Sequence, residues 1–130
     1  MHATLFLITA WWDVNNYKSD YLEVHSHGNN LHESYYCNNN GCGYKGLKLS
    51  KEELIKDLNK SVNELGTNLA FCYPFYQKNN TMVDALKETG FKLAFVGGNR
   101  KAKQSDNKYA VPRYVIYKNT SLNSFIKMIK

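Results

Sequence analysis

Apolar and polar positions alternate along this chain in two rhythms, one with the period of a strand and one with the period of a helix. The run Ala3-Thr4-Leu5-Phe6-Leu7-Ile8-Thr9 is nearly continuous in apolar character, as expected of a strand covered on both faces. Leu22, Val24 and Ser26 then alternate with Glu23, His25 and His27, which predicts a second strand over Leu22 to His27. Gly28-Asn29-Asn30 ends it with loop chemistry. Leu69 to Tyr73, Phe91 to Val96 and Ala110 to Tyr117 complete the predicted strands. Pro112 argues that the last lies at an edge or at a strand start.

The helical rhythm is clearest after Ser50-Lys51-Glu52-Glu53, a capping box with Ser50 at the N-cap and Glu53 at N3. Leu54, Ile55, Leu58, Val62 and Leu65 then form one stripe, and Gly66 closes the helix. Asn80 or Thr81 is expected to cap a second helix, Met82 to Thr89, closed by Gly90. Ser121 to Lys130 predicts a short amphipathic helix using Leu122, Phe125, Ile126 and Ile129. Strands alternating with helices imply right-handed βαβ units and a mainly parallel sheet. Asn99 to Lys108 reads as a loop, and no internal repeat or linker divides the chain.

Composition narrows the class. At 130 residues the chain is expected to be a single domain, short of the roughly 200 residues of a closed α/β barrel. Hydrophobic residues make up 43% and charged residues 22%, so the chain reads as an ordinary globular domain. No run approaches the roughly 18 apolar residues of a membrane span, and the start lacks the basic and long apolar regions of a signal peptide. A net charge of +6 invites an anionic polymer. The lysines are scattered, however, without a stripe of interleaved aromatics, and nucleic acid is disfavoured. Three cysteines do not make a disulfide framework. Cys37 and Cys42 are close enough to bridge, their redox state is left open, and Cys72 reads as a small core residue.

Three of the four histidines, His25, His27 and His32, fall within one short stretch where a strand becomes a loop. Parallel sheets place their chemistry at this end of a strand, and a neutral imidazole is the commonest protein ligand for transition metals. Trp11 and Trp12 follow the first strand; one indole could pack, or the pair could stack on the apolar face of a sugar. The long segment from Glu33 to Lys48, rich in Tyr, Asn and Gly, is expected to line the same site.

Taken in order, Ala3 to Ile8, Glu23-Val24-His25-Ser26-His27 through His32, Phe71-Cys72-Tyr73-Pro74-Phe75, Gly90-Phe91-Lys92 and Val111-Pro112-Arg113 resemble a NodB-homology polysaccharide deacetylase. The five-residue spacing of His27 and His32 resembles the branch acting on poly-N-acetylglucosamine. That resemblance implies a distorted (β/α) barrel with a divalent metal, zinc first and cobalt or nickel as substitutes, held by one Asp and two His. His27 and His32 would be the metal ligands here. The N–H of Phe75 would help hold the oxyanion, and Tyr73, Phe75, Trp11 and Arg113 would border an N-acetylglucosamine-containing polysaccharide. His25 and Asp13 are candidates for supporting positions around the metal.

The same resemblance exposes departures. The family's first strand and its Asp-Asp pair, which supply the third ligand and the general base, would lie before Ala3. The chain is therefore expected to be a truncated domain lacking the first β/α unit, with an exposed sheet edge prone to self-association. Gly28 stands where Ser or Thr is common, Cys72 where Arg is common, and Tyr76 where Gly is expected. No histidine follows His32 as a catalytic acid. The expected function is metal-dependent N-deacetylation in impaired form; the alternative is a non-catalytic descendant that binds glycan or metal. The family usually works outside the membrane, and this chain leaves its location open.

Overall fold

The computed structural model describes residues 2–33 and 44–130. Four strands, β1 (Ala3–Leu7), β2 (Leu22–Ser26), β3 (Ala70–Cys72) and β4 (Leu93–Phe95), form one sheet in the order β1-β2-β3-β4. Every neighbouring pair is parallel. Each strand lies beside its predecessor in the chain, as short crossover connections favour.

The expected helices are present. In α1 (Lys51–Leu65) the Ser50 hydroxyl accepts from the Glu53 N–H while the Glu53 carboxylate accepts from the Ser50 N–H. Gly66 ends it in the left-handed conformation at φ 69°, where a side chain would cost energy. Helix α2 (Asn80–Glu88) is capped by Asn79, one residue before Asn80 and two before Thr81, the expected caps, because the Asn79 side chain accepts from the Met82 N–H at 2.8 Å. Helix α3 (Leu122–Ile129) is capped by Ser121 and buries none of its residues.

One row of the sheet register explains where the core sits. Leu7 pairs with Ser26, Ser26 with Phe71 and Phe71 with Ala94, and all four side chains are buried. Of these, Phe71 and Ala94 share a hydrophobic cluster with Leu54 and Leu58 of α1 and Met82, Ala85 and Leu86 of α2. Ser26, polar in this row, is satisfied by Ser61 of α1 at 2.7 Å, hydroxyl to hydroxyl. The opposite face carries Thr4, Phe6, His25, Leu93 and Phe95 around a cavity of about 440 Å³.

The expected strand from Ala110 to Tyr117 does not form. Val111 makes a single parallel bridge to Phe95, exchanging backbone hydrogen bonds with Ala94 and Val96. The next residue facing that side, Arg113, bonds through its carbonyl to the Asn99 N–H, past the end of β4, so the segment leaves the sheet after one bridge. The segment from 34 to 43, with Cys37 and Cys42, lies outside the described residues, and so does most of the expected site-lining loop. No described helix is long and apolar enough to cross a membrane.

Phe71 is fully buried and meets Tyr73 and Phe91 edge-on at 5.4 and 5.7 Å between ring centroids. Phe71→Ala should therefore cost about 3–5 kcal/mol in denaturant unfolding, whereas Ser50→Ala should cost about 1 kcal/mol through its cap.

Candidate functional site

His27 is the first residue beyond β2. Its N–H donates to the Leu7 carbonyl, which extends the β1–β2 ladder by one step. Its ring sits on the face of the sheet away from the helices and bonds through Nδ1 to the Cys72 carbonyl at 2.6 Å. A carbonyl only accepts, so Nδ1 carries the proton and Nε2 keeps its lone pair. Burial pulls this imidazole down to about 4 from 6.5; the Cys72 hydrogen bond opposes that, and His32 and Arg113 add to it. His27 is therefore neutral at pH 7.

The His32 ring lies 4.9 Å from the His27 ring, centroid to centroid. Phe75 stacks on its face at 4.4 Å, and Trp11 meets it edge-on at 5.8 Å. The connecting turn is shaped by two residues. Gly28 has φ 86°, and a Cβ there would meet the Leu31 side chain at 2.8 Å. Leu31 is fully buried, so the space that Gly28 leaves is filled from the core side. The expected Ser or Thr does not fit this position. From α1, Asp57 accepts the N–H groups of Asn29 and Asn30 at 2.7 and 2.8 Å. Burial pushes its carboxyl up against those two bonds. Nothing in the local sequence pattern singled Asp57 out, since it reads there as one more polar helix residue.

His27, His32, Cys72, Tyr73, Phe75, Tyr76 and Arg113 line one cavity of about 260 Å³. Arg113 reaches it from the segment after β4: its guanidinium donates to the Cys72 sulfur at 2.9 Å and lies over the rings of Phe6, Tyr76 and Phe95. The cation missing at position 72 is thus supplied from position 113. Phe75 and Tyr76 hold φ of 52° and 61° in succession, a conformation costly for side chains other than Gly. The Phe75 N–H finds no acceptor among the described residues.

The other expected site residues fall elsewhere. Tyr73 borders the cavity but is fully buried, and its hydroxyl donates to the Tyr109 carbonyl at 3.0 Å. Its ring is part of the core and is not placed to stack on a sugar. Asp13 caps a 3₁₀ turn (Val14–Tyr17) and lines a separate cavity with Trp11, Trp12 and Glu64; it does not approach the histidines' cavity. His25 shares the sheet face of His27 but lines the neighbouring cavity, with Glu23 at 3.8 Å and Nδ1 buried without a partner. It is not in a supporting position for His27. Both indoles are about half exposed, Trp11 at 52% and Trp12 at 54%, so neither ring packs into the core. Among the described residues no three His, Cys, Asp or Glu side chains are grouped so as to hold a metal ion.

No family model matches the chain. It is 30% identical over 105 residues to the poly-beta-1,6-N-acetyl-D-glucosamine N-deacetylase of Staphylococcus aureus, an overlap of 77% of this chain and 35% of that protein. The chain thus spans about a third of the length of the curated relatives it matches. A Streptococcus pyogenes deacetylase solved in complex with acetate superposes with a TM-score of 0.73 at 16% identity, covering 99% of this chain and 59% of that one. A de-N-acetylase from Aggregatibacter actinomycetemcomitans gives 0.63 at 23% identity over 83% and 48%. The fold is that of the polysaccharide deacetylases, a part of their (β/α) barrel built on a parallel sheet. Within that class, the sequence relatives are poly-N-acetylglucosamine N-deacetylases, and the chain is similar to them over 77% of its own length.

The lowered His27 value carries a stability consequence in metal-free protein. Between pH 6.5 and about 4 the unfolded imidazole holds a proton that the folded one refuses, so stability falls as pH drops through that window. Denaturant unfolding at pH 7 and pH 5 should show this loss in the wild type and less of it in His27→Gln.

Proposed function

We propose that this chain is a single polysaccharide-deacetylase-type domain over residues 1–130 that carries the two-histidine half of a metal centre. The observation that carries this reading is the His27 Nδ1 bond to Cys72, which leaves Nε2 unprotonated in a neutral, metal-ready tautomer with the His32 ring 4.9 Å away, centroid to centroid. Fixing one ring nitrogen by a backbone carbonyl is how metal-ligating histidines are commonly oriented. Both imidazoles suit zinc, and cobalt or nickel would substitute. A divalent cation held there would polarise an acetamide carbonyl and activate a water.

The remaining parts belong to the chain itself. Phe75 N–H, free of other acceptors among the described residues, is the candidate donor to the oxyanion. The exposed faces of Trp11 and Phe75, the latter 43% exposed, offer apolar platforms to an N-acetylglucosamine ring beside His32. Arg113 closes the far wall and adds positive charge. No carboxylate among the described residues reaches the cavity to take a proton from the water. A missing general base alone costs about 10²–10⁴-fold in rate, which supports an impaired enzyme, with glycan or metal binding without turnover as the second reading. The unpaired outer side of β1 is the edge through which copies of the chain would associate.

Isothermal titration should find a single weakly held Zn²⁺, Co²⁺ or Ni²⁺, abolished by replacing both His27 and His32 with Ala; unchanged binding in that double variant would sink the ligand assignment. Acetate release from N-acetylglucosamine oligomers should be negligible, and robust turnover would exclude both the impaired and the non-catalytic readings. Light scattering should show concentration-dependent association, against which a clean monomer would count.

A further inference from the structure

We propose that Asp57 is a positioning residue that sets the separation of His27 and His32 by clamping the backbone between them. This rests on the reading of those histidines as ligands. The turn that joins them is tied down on several sides. From the end of β1, the Thr9 and Ala10 N–H groups donate to the carbonyls of Gly28 and Asn29 at 3.2 and 3.0 Å, and the Asn29 side chain donates to the Thr9 hydroxyl at 2.9 Å. From below, Leu31 is locked in the core. From α1, Asp57 takes the two successive N–H groups of Asn29 and Asn30, one on each carboxylate oxygen.

Only Asp57 grips two successive N–H groups in the middle of the segment whose two ends bear the imidazoles. A carboxylate meeting two adjacent N–H groups makes charge-assisted bonds, stronger than the neutral contacts holding the rest of the turn. Aspartate alone does this at such a reach: asparagine offers one acceptor and turns an NH₂ toward the second N–H, and alanine offers none. Lys45, Lys56 and Lys60 line the same shallow cavity of about 310 Å³ with one further carboxylate, Glu53, so three cations offset two acids there. Asp57 touches neither histidine and no substrate. Its influence passes entirely through the backbone of the turn.

The test is a Co²⁺ titration of the intact chain, read by visible d–d absorption, with far-UV circular dichroism as the check on folding. Wild type, Asp57→Ala, Asp57→Asn and the His27→Ala/His32→Ala double variant are compared. Asp57→Ala is expected to weaken Co²⁺ by about tenfold or more, the scale of lost outer support at metal sites, and to alter the absorption band while the dichroism is retained. Asp57→Asn should fall between it and the wild type. Wild-type affinity and an unaltered band in Asp57→Ala would overturn the proposal. Should that variant not fold, Asp57→Asn decides: an intermediate affinity supports the clamp and an unchanged one overturns it. A wild type that binds no more Co²⁺ than the double-histidine variant refutes the ligand assignment itself, and that failure shows before any Asp57 variant is compared.

Discussion

The candidate site depends on one hydrogen bond, from His27 Nδ1 to the carbonyl of Cys72. It joins the end of β2 to the end of β3, where the sheet register has only Ser26 opposite Phe71. It selects the tautomer, leaves Nε2 with its lone pair, and holds the ring at a depth where burial keeps it uncharged. The rest of the site is arranged about that fixed ring. His32 comes alongside on a turn held by Leu31 and Asp57, and Phe75 covers its far face.

The departures from the family pattern make sense as a set when placed in three dimensions. Cys72 lacks the guanidinium its position commonly carries, but Arg113 brings one to the same sulfur from 41 residues away. Burial pushes the Cys72 thiol up, against the opposing pull of the Arg113 charge and hydrogen bond. Tyr76 stands where a glycine is expected and still adopts positive φ. Its ring is held against Gly97 and under the Arg113 guanidinium, contacts that offset the backbone cost of roughly 1–2 kcal/mol. Gly28 is the reverse case, a small residue demanded by Leu31 and by its own φ.

What could be read from the sequence was local. The Ser50–Glu53 box and the Leu54–Leu65 stripe are periodic features within one helix, and the structure realises them residue by residue. His27 and His32 were legible because a strand-to-loop transition is visible in the pattern, and His25 was separable from them only by the family spacing. The pairings Arg113–Cys72 and Asp57–Asn29/Asn30 link residues 41 and 28–27 positions apart, and no window of sequence contains both ends. The failed strand at Ala110 has apolar residues enough, but backbone partners decide a strand, and the next backbone contact after Val111, that of Arg113 with Asn99, lies past the end of β4. Tyr73 illustrates the limit of motif reading: its place beside Pro74 is conspicuous, yet the direction of its ring is set by Tyr109, far along the chain.

The sequential strand order β1-β2-β3-β4 has a consequence for how the site comes into being. His27 and His32 emerge with β2, but the carbonyl that orients His27 belongs to β3 and the ring that covers His32 to the turn after it. Arg113 arrives later still, after β4. Loop closure must precede such non-local contacts, so a chain folding from its first strand holds two unaligned imidazoles until the sheet is almost complete. The finished cavity thus draws on residues that follow β2, β3 and β4, and it is intact only when each of those strands has found its neighbour.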